Sequence, residues 1–152
     1  MSFSKLTWGV KASFRSYVEA AGGSVSFSDG ATGTEDGLCV FTAVPGGDLN
    51  IAADGSATGS MRFEGTVTFE AHGGMLKSTL AELGLEVDDE GLVLTVLQAP
   101  MNSDRCAIAK LSLGEMGPDK AVTLGAQITN DGMYQIADNY PPGTELDAVR
   151  LD

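Results

Sequence analysis

Few side chains in this chain are equipped for chemistry, and they are scattered. There is one histidine, His72, and there are two cysteines, Cys39 and Cys106. Any Ser-His-Asp or Cys-His arrangement would have to use His72, and no serine sits in a G-x-S-x-G turn. One histidine and two distant cysteines fall short of a four-ligand zinc site. The stretch from Gly30 to Gly37 has glycines but lacks the spacing and flanks of a phosphate-binding loop. Carboxylates are plentiful, yet none stands out as an acid-base pair. Three residues remain: Tyr17, His72 just before Gly73-Gly74, and Tyr140 in the segment NYPPGTELD.

Each of the three also has a plainer role. Tyr17 falls on the apolar stripe of an amphipathic segment, where a phenol needs a hydrogen-bond partner or a metal; the plain role is a core tyrosine bonded to a carbonyl. A histidine at a strand end is ordinarily a satisfied surface residue. A tyrosine beside two prolines is ordinarily a packing anchor.

The element that would carry Tyr17 is a helix predicted over Leu6 to Gly23, with Thr7 as cap and Gly22-Gly23 as left-handed stop. At about 100° per residue, Val10, Phe14, Tyr17, Val18 and Ala21 share one stripe, which points Tyr17 inward. Lys11, Arg15 and Glu19 fall opposite. Ser13 lies one turn before Tyr17 and close to its face.

The rest of the chain reads as β. Strands are expected at Ser24–Ser28, Leu38–Val44, Asp48–Ala53 and Ser60–His72. The last of these alternates strictly, with Met61, Phe63, Gly65, Val67, Phe69 and Ala71 on one face. Met75–Val87 fits either a helix, through Leu76, Leu80, Leu83 and Val87, or a strand, through Leu76, Ser78 and Leu80; Gly84 and the β surroundings favour a strand broken near Glu82-Leu83. Further strands are expected at Leu92–Gln98, Cys106–Leu113 and Ala121–Thr129. Asp88-Asp89-Glu90-Gly91, Pro100–Asp104 and Gly114–Asp119 read as turns or loops. Asn130-Asp131-Gly132 reads as a hairpin turn into a last strand at Met133–Ala137, with Thr144–Asp152 as a tail. The fold class is therefore mainly β: an antiparallel sandwich or curled barrel of about nine to ten strands, with one N-terminal amphipathic helix packed on it. No linker or repeat divides the 152 residues, so a single domain over 1–152 is expected.

The formal charge is −12, from 9 basic and 21 acidic residues. That excess argues against nucleic acid and anionic membrane surfaces as partners. No apolar run approaches the ~18 residues needed to span a bilayer, so no membrane insertion is expected. Two settings are open. The chain is cytoplasmic if Met1 is the native start, and secreted or at the cell surface if it is an excised domain. The cysteines, in no recognised redox spacing, are expected to be ordinary thiols.

Three blocks in order carry a resemblance to a known family. They are WGVKASFRSYV (Trp8–Val18), FEGTVTFEAHGGML (Phe63–Leu76) and YPPGTELD (Tyr140–Asp147). Together they resemble the HtaA domain family of actinobacterial haem-uptake proteins. The chain departs from it in having Ala148 where the family often has proline. The resemblance implies binding of ferric haem b and its handover to other haem-carrier proteins, without catalysis. It implies Tyr17 as the axial iron ligand, with His72 and Tyr140 also needed for the site. On chemical grounds a hydrogen bond from His72 would help a phenolate form. Ser13 could reach a propionate. Phe14 and Val18 flank Tyr17, and Phe41, Phe69 and Met75 are candidate walls. The competing functions are a cofactor-free β-sandwich interaction or adhesion module, a carrier of another apolar ligand and, more remotely, a haem-degrading enzyme.

Overall fold

A computed structural model describes residues 3–35, 37–89, 91–97, 105–117, 121–136 and 140–152. The chain opens with β1 (Lys5–Trp8), then α1 (Ala12–Ala20), β2 (Ser24–Ser28), β3 (Thr32–Gly33) and β4 (Cys39–Ala43). Two short strands follow, β5 (Asn50–Ile51) and β6 (Ala57–Thr58), then β7 (Ser60–Glu64) and β8 (Thr66–Ala71). After a 3-10 turn at His72–Gly74 come β9 (Leu76–Ala81), β10 (Gly84–Asp88), β11 (Gly91–Leu97) and β12 (Arg105–Met116). The chain finishes with β13 (Val122–Ile128), α2 (Asn130–Gln135) and β14 (Glu145–Leu151).

Eight strands close into an antiparallel barrel in the order β1-β14-β13-β12-β11-β10-β7-β4, and β4 pairs back onto β1. β3 adds to the outer edge at β4. Closure removes the open edges that a flat sheet would expose. The mainly β expectation holds, and of its two architectures the barrel is the one adopted. The barrel interior is filled by side chains, among them Leu6, Trp8, Phe41, Phe63, Leu85, Leu94, Ile108, Leu124 and Val149, all essentially buried.

The long strand predicted over Ser60–His72 keeps its face but not its continuity. Met61, Phe63, Val67, Phe69 and Ala71 are all buried. At Gly65, however, φ is +128, a value that favours glycine, and the chain turns there from the barrel into a second sheet, β2-β8-β9. The chain returns at Glu82, also left-handed at φ +50, which is the break expected near Glu82-Leu83. Glu82 N–H donates to the Gly65 carbonyl and Phe63 N–H to that of Leu83, so the two corners stack. This small sheet forms the bed on which α1 lies.

Four expectations are corrected. The N-terminal helix starts at Ala12, not Leu6, because Lys5–Trp8 is a barrel strand paired on both edges, and Thr7 caps nothing. Its predicted stop is real: Gly22, at φ +71, and Gly23 donate to Glu19 and Val18 in a Schellman-type close. Gly114 does not turn but lies within the long strand β12. Asn130-Asp131-Gly132 is not a hairpin. The Thr129 hydroxyl accepts from Gly132 N–H at 3.0 Å and caps α2, so Met133–Gln135 is helical rather than a strand. A Cβ at Gly132 would sit 2.2 Å from the Ile108 carbonyl, so glycine lets this helix press onto β12. The tail Thr144–Asp152 supplies the closing strand, β14. The predicted loop at Pro100–Asp104 lies wholly outside the described residues.

Cys39 and Cys106 are both buried, and no disulfide joins them. Burial pushes the Cys39 thiol up from 9.0 to about 11, against a smaller lowering by the Arg15 charge. The unfolded thiol then ionises first as pH rises. The stabilisation is full below about pH 9 and is lost toward about pH 11, by at most about 3 kcal/mol. Chemical denaturation across that range is expected to show the loss, and Cys39→Ala to flatten its slope.

Candidate functional site

Helix α1 is short, and Phe14 and Val18 are the residues it buries. Phe14 is 1% exposed and meets Phe69 of β8 edge-on, with ring centroids 5.1 Å apart. That contact seats the helix on the small sheet. Phe14 is thus packed beneath the helix and is absent from its open face. Phe41 and Phe69 are likewise core residues.

Tyr17 does not point inward. It is 47% exposed, because the helix is narrow-footed and the stripe that includes position 17 is only partly covered. Its hydroxyl lies 2.6 Å from His72 Nε2, and the two rings are 5.6 Å apart and tilted. His72 is delivered by the turn after β8. Its φ is +55, followed by Gly73 at +66 and Gly74 at +95. Histidine tolerates this left-handed region better than most side chains, and the two glycines continue the turn without strain. Met75, just beyond, is 91% exposed.

A second hydrogen-bonded pair stands on the same helix. The Ser13 hydroxyl and the Tyr140 hydroxyl are 2.8 Å apart. Ser13 and Tyr17 are separated by four residues and so share a helix face. Tyr140 is itself partly buried against the core. Lys11, read from the helical wheel as projecting away, lies over the Tyr140 ring at 5.8 Å, and its ammonium donates to the Glu145 carbonyl at 2.6 Å. The wheel misplaced it because Lys11 precedes the helix, with extended backbone. The candidate residues therefore gather as two pairs, Tyr17 with His72 and Ser13 with Tyr140, with Lys11 beside the second.

The face is open. A groove of about 690 Å³ lies elsewhere, at the Gly65 and Glu82 corner between Arg62 and Arg105. Another of about 470 Å³ lines Arg15, Glu19 and Glu35 on the back of α1. Neither includes Tyr17 or His72. Among the described residues, no three His, Cys, Asp or Glu side chains converge as a ligand set for a bare metal ion. Chemically, the first pair offers one oxygen donor with an imidazole to hold or return its proton. The second offers two hydroxyls.

A closed eight-stranded barrel with an outlying sheet, bearing a helix that presents a tyrosine to a turn-borne histidine, defines the class. The chain belongs to the HtaA family, whose pattern it matches over residues 4–152. It is similar to the C-terminal domain of HtaA from Corynebacterium glutamicum at 26% identity and TM-score 0.72, covering 98% of this chain and 95% of that one. The N-terminal domain of the same protein aligns at 23% identity and TM-score 0.75, over 99% and 96% of the two chains. A heme binding protein from that organism, HtaB, shares the fold at 17% identity and TM-score 0.69, over 98% and 91%. No protein of curated function matches the sequence.

Proposed function

We propose that this protein captures ferric haem b through the Tyr17 oxygen and passes it to another carrier, without catalysing a reaction. The observation that carries this reading is the 2.6 Å contact between an exposed phenol and the imidazole of the only histidine in the chain. Family membership and a neighbour that is a heme binding protein support it. The donor set fits the ligand. A porphyrin brings four nitrogen ligands of its own, so a single protein oxygen suffices to hold the iron. Ferric iron is hard and favours an anionic oxygen ligand.

The residues then divide the work. With haem bound, Tyr17 would supply the oxygen that holds the iron, and the Nε2 of His72, 2.6 Å away, would take up its proton. Carrying that proton on Nε2, His72 would donate to the Tyr17 oxygen and hold it in place. Protonating that oxygen weakens it as a ligand, and the same contact gives a route for release. Ser13 and Tyr140 present hydroxyls for the propionates, and Lys11 adds a positive charge nearby in a chain of net charge −12. Met75 offers an apolar contact at the exposed rim. One protein ligand on an open face suits transfer better than storage.

Hemin titration of the native protein and of His72→Asn tests this reading. Asparagine also tolerates the left-handed backbone of position 72, so the turn should persist. The expected result is saturable one-to-one binding by the native protein, weakened about tenfold or more in the variant, with a shifted ferric spectrum. Equal affinity and an identical spectrum would remove His72 from the site.

A further inference from the structure

We propose that Asp147 is a positioning residue: from a bulge in the last barrel strand it ties down the start of α1 and thereby holds Tyr17 against His72. The consequence for ligand affinity rests on the haem-binding function proposed above, whereas the anchor itself does not.

The ladder between β13 and β14 slips at this point. Leu124 faces Val149, but Ala126 faces Leu146, so Asp147 and Ala148 together oppose Gly125. A bulge of this kind re-aims a residue and takes it out of the regular pairing. Asp147 then spends its bonding groups on residues 8–15. Its main-chain N–H donates to the Val10 carbonyl at 2.9 Å. Its main-chain carbonyl accepts from the Trp8 indole N–H at 2.7 Å. One carboxylate oxygen accepts from Ala12 N–H at 3.2 Å, and the other from the Arg15 guanidinium at 2.6 Å. The same Arg15 nitrogen reaches the Gly9 carbonyl at 2.7 Å.

Ala12 is the first residue of α1, and the adjoining Lys11 supplies no side-chain cap. Asp147 fills that role from 135 residues away, and a carboxylate there also complements the positive end of the helix. The connection it grips is strained. Val10 is β-branched yet sits at φ +63, a conformation that persists only where its surroundings enforce it. Without the carboxylate, the first turn has neither cap nor ion pair, and Tyr17 follows one turn later.

His72 is the only histidine, so its ring gives a single set of imidazole resonances and reports directly on the Tyr17 contact. These resonances are to be recorded in the ligand-free full chain for the native protein, Tyr17→Phe, Asp147→Ala and Asp147→Asn. In Asp147→Ala they are expected to move most of the way to their Tyr17→Phe positions, while amides of β11, β12 and β13 stay put. Asp147→Asn keeps an oxygen toward Ala12 N–H and is expected to remain near native. Hemin affinity is expected to fall about tenfold in Asp147→Ala and to be largely restored in Asp147→Asn. Native-like His72 resonances in a folded Asp147→Ala protein overturn the anchor. Displaced resonances with undiminished hemin affinity overturn its link to binding. If the alanine variant does not fold, Arg15→Ala removes the ion pair and the bond to the Gly9 carbonyl but spares the Ala12 cap; an intermediate displacement supports the anchor and unchanged resonances overturn it. Failure of the native protein to bind hemin removes the haem function but leaves the resonance test of the anchor standing.

Discussion

Tyr17→Phe is expected to reduce hemin affinity at least a hundredfold, about 2.7 kcal/mol, while leaving the fold intact. The two parts of this prediction have separate causes. Phenylalanine keeps the ring and its packing but removes the only oxygen that α1 presents to His72. Iron would then lose its protein ligand, and what remains is loose adsorption through apolar contact. Stability should hardly change. The side chain is 47% exposed, and its one hydrogen bond to an exposed imidazole contributes about 1 kcal/mol at most. Tyr17→Ala should behave alike in affinity. Titration of both variants against the native protein, with a denaturation curve for each, separates loss of ligand from loss of fold. A phenylalanine variant that binds within a fewfold of native would show that Tyr17 is not the ligand.

Phe14→Ala is expected to destabilise the protein by about 3–5 kcal/mol, a large share of the 5–15 kcal/mol typical of a single domain. Phe14 is the main foot of α1, buried to 1% and set edge-on against Phe69. Its removal leaves a cavity between the helix and the small sheet, and the barrel behind is too rigid to close it. Because Tyr17 and Ser13 ride on the same helix, hemin affinity should fall with it even though Phe14 itself has no exposed surface to offer a ligand. Chemical denaturation gives the first number. A loss below about 1 kcal/mol would mean that the helix is held chiefly by its ends, through Asp147 and the Gly22-Gly23 stop, rather than by its buried face.

The barrel was legible where burial imposes a period of two. The alternation from Met61 to Ala71 is the clearest case, and its inner face is fully buried. The same alternation hid the corner at Gly65, because a chain can change sheets without changing which face is apolar. The start of α1 was misread because Thr7 has the side chain of a helix cap ahead of the stripe that begins at Val10, although Leu6 and Thr7 belong to a strand that pairs on both edges. β14 was invisible for a related reason. The bulge at Asp147-Ala148 sets Leu146 three residues before Val149, which breaks the two-residue period at the place where the strand turns aside to grip the helix. The hairpin expected at Asn130 yielded to Thr129, whose hydroxyl caps a helix instead.

The site was legible only in part. Tyr17, His72, Tyr140 and Ser13 stand out as residues, but how they pair depends on tertiary placement of α1 against a turn and the 140–144 segment. No local pattern joins Tyr17 to His72 or Ser13 to Tyr140. Lys11 and Asp147 were missed because their roles come from lying just outside the regular elements, at a helix cap and in a bulge.

The most direct test of the central claim is the resonance Raman spectrum of the ferric hemin complex of the native protein, excited in its visible charge-transfer band. Iron held by the Tyr17 oxygen predicts phenolate ring modes enhanced together with an iron–oxygen stretch, all absent from Tyr17→Phe. A complex showing no phenolate enhancement, or one whose phenolate modes survive in Tyr17→Phe, would contradict it and pass the iron to another residue.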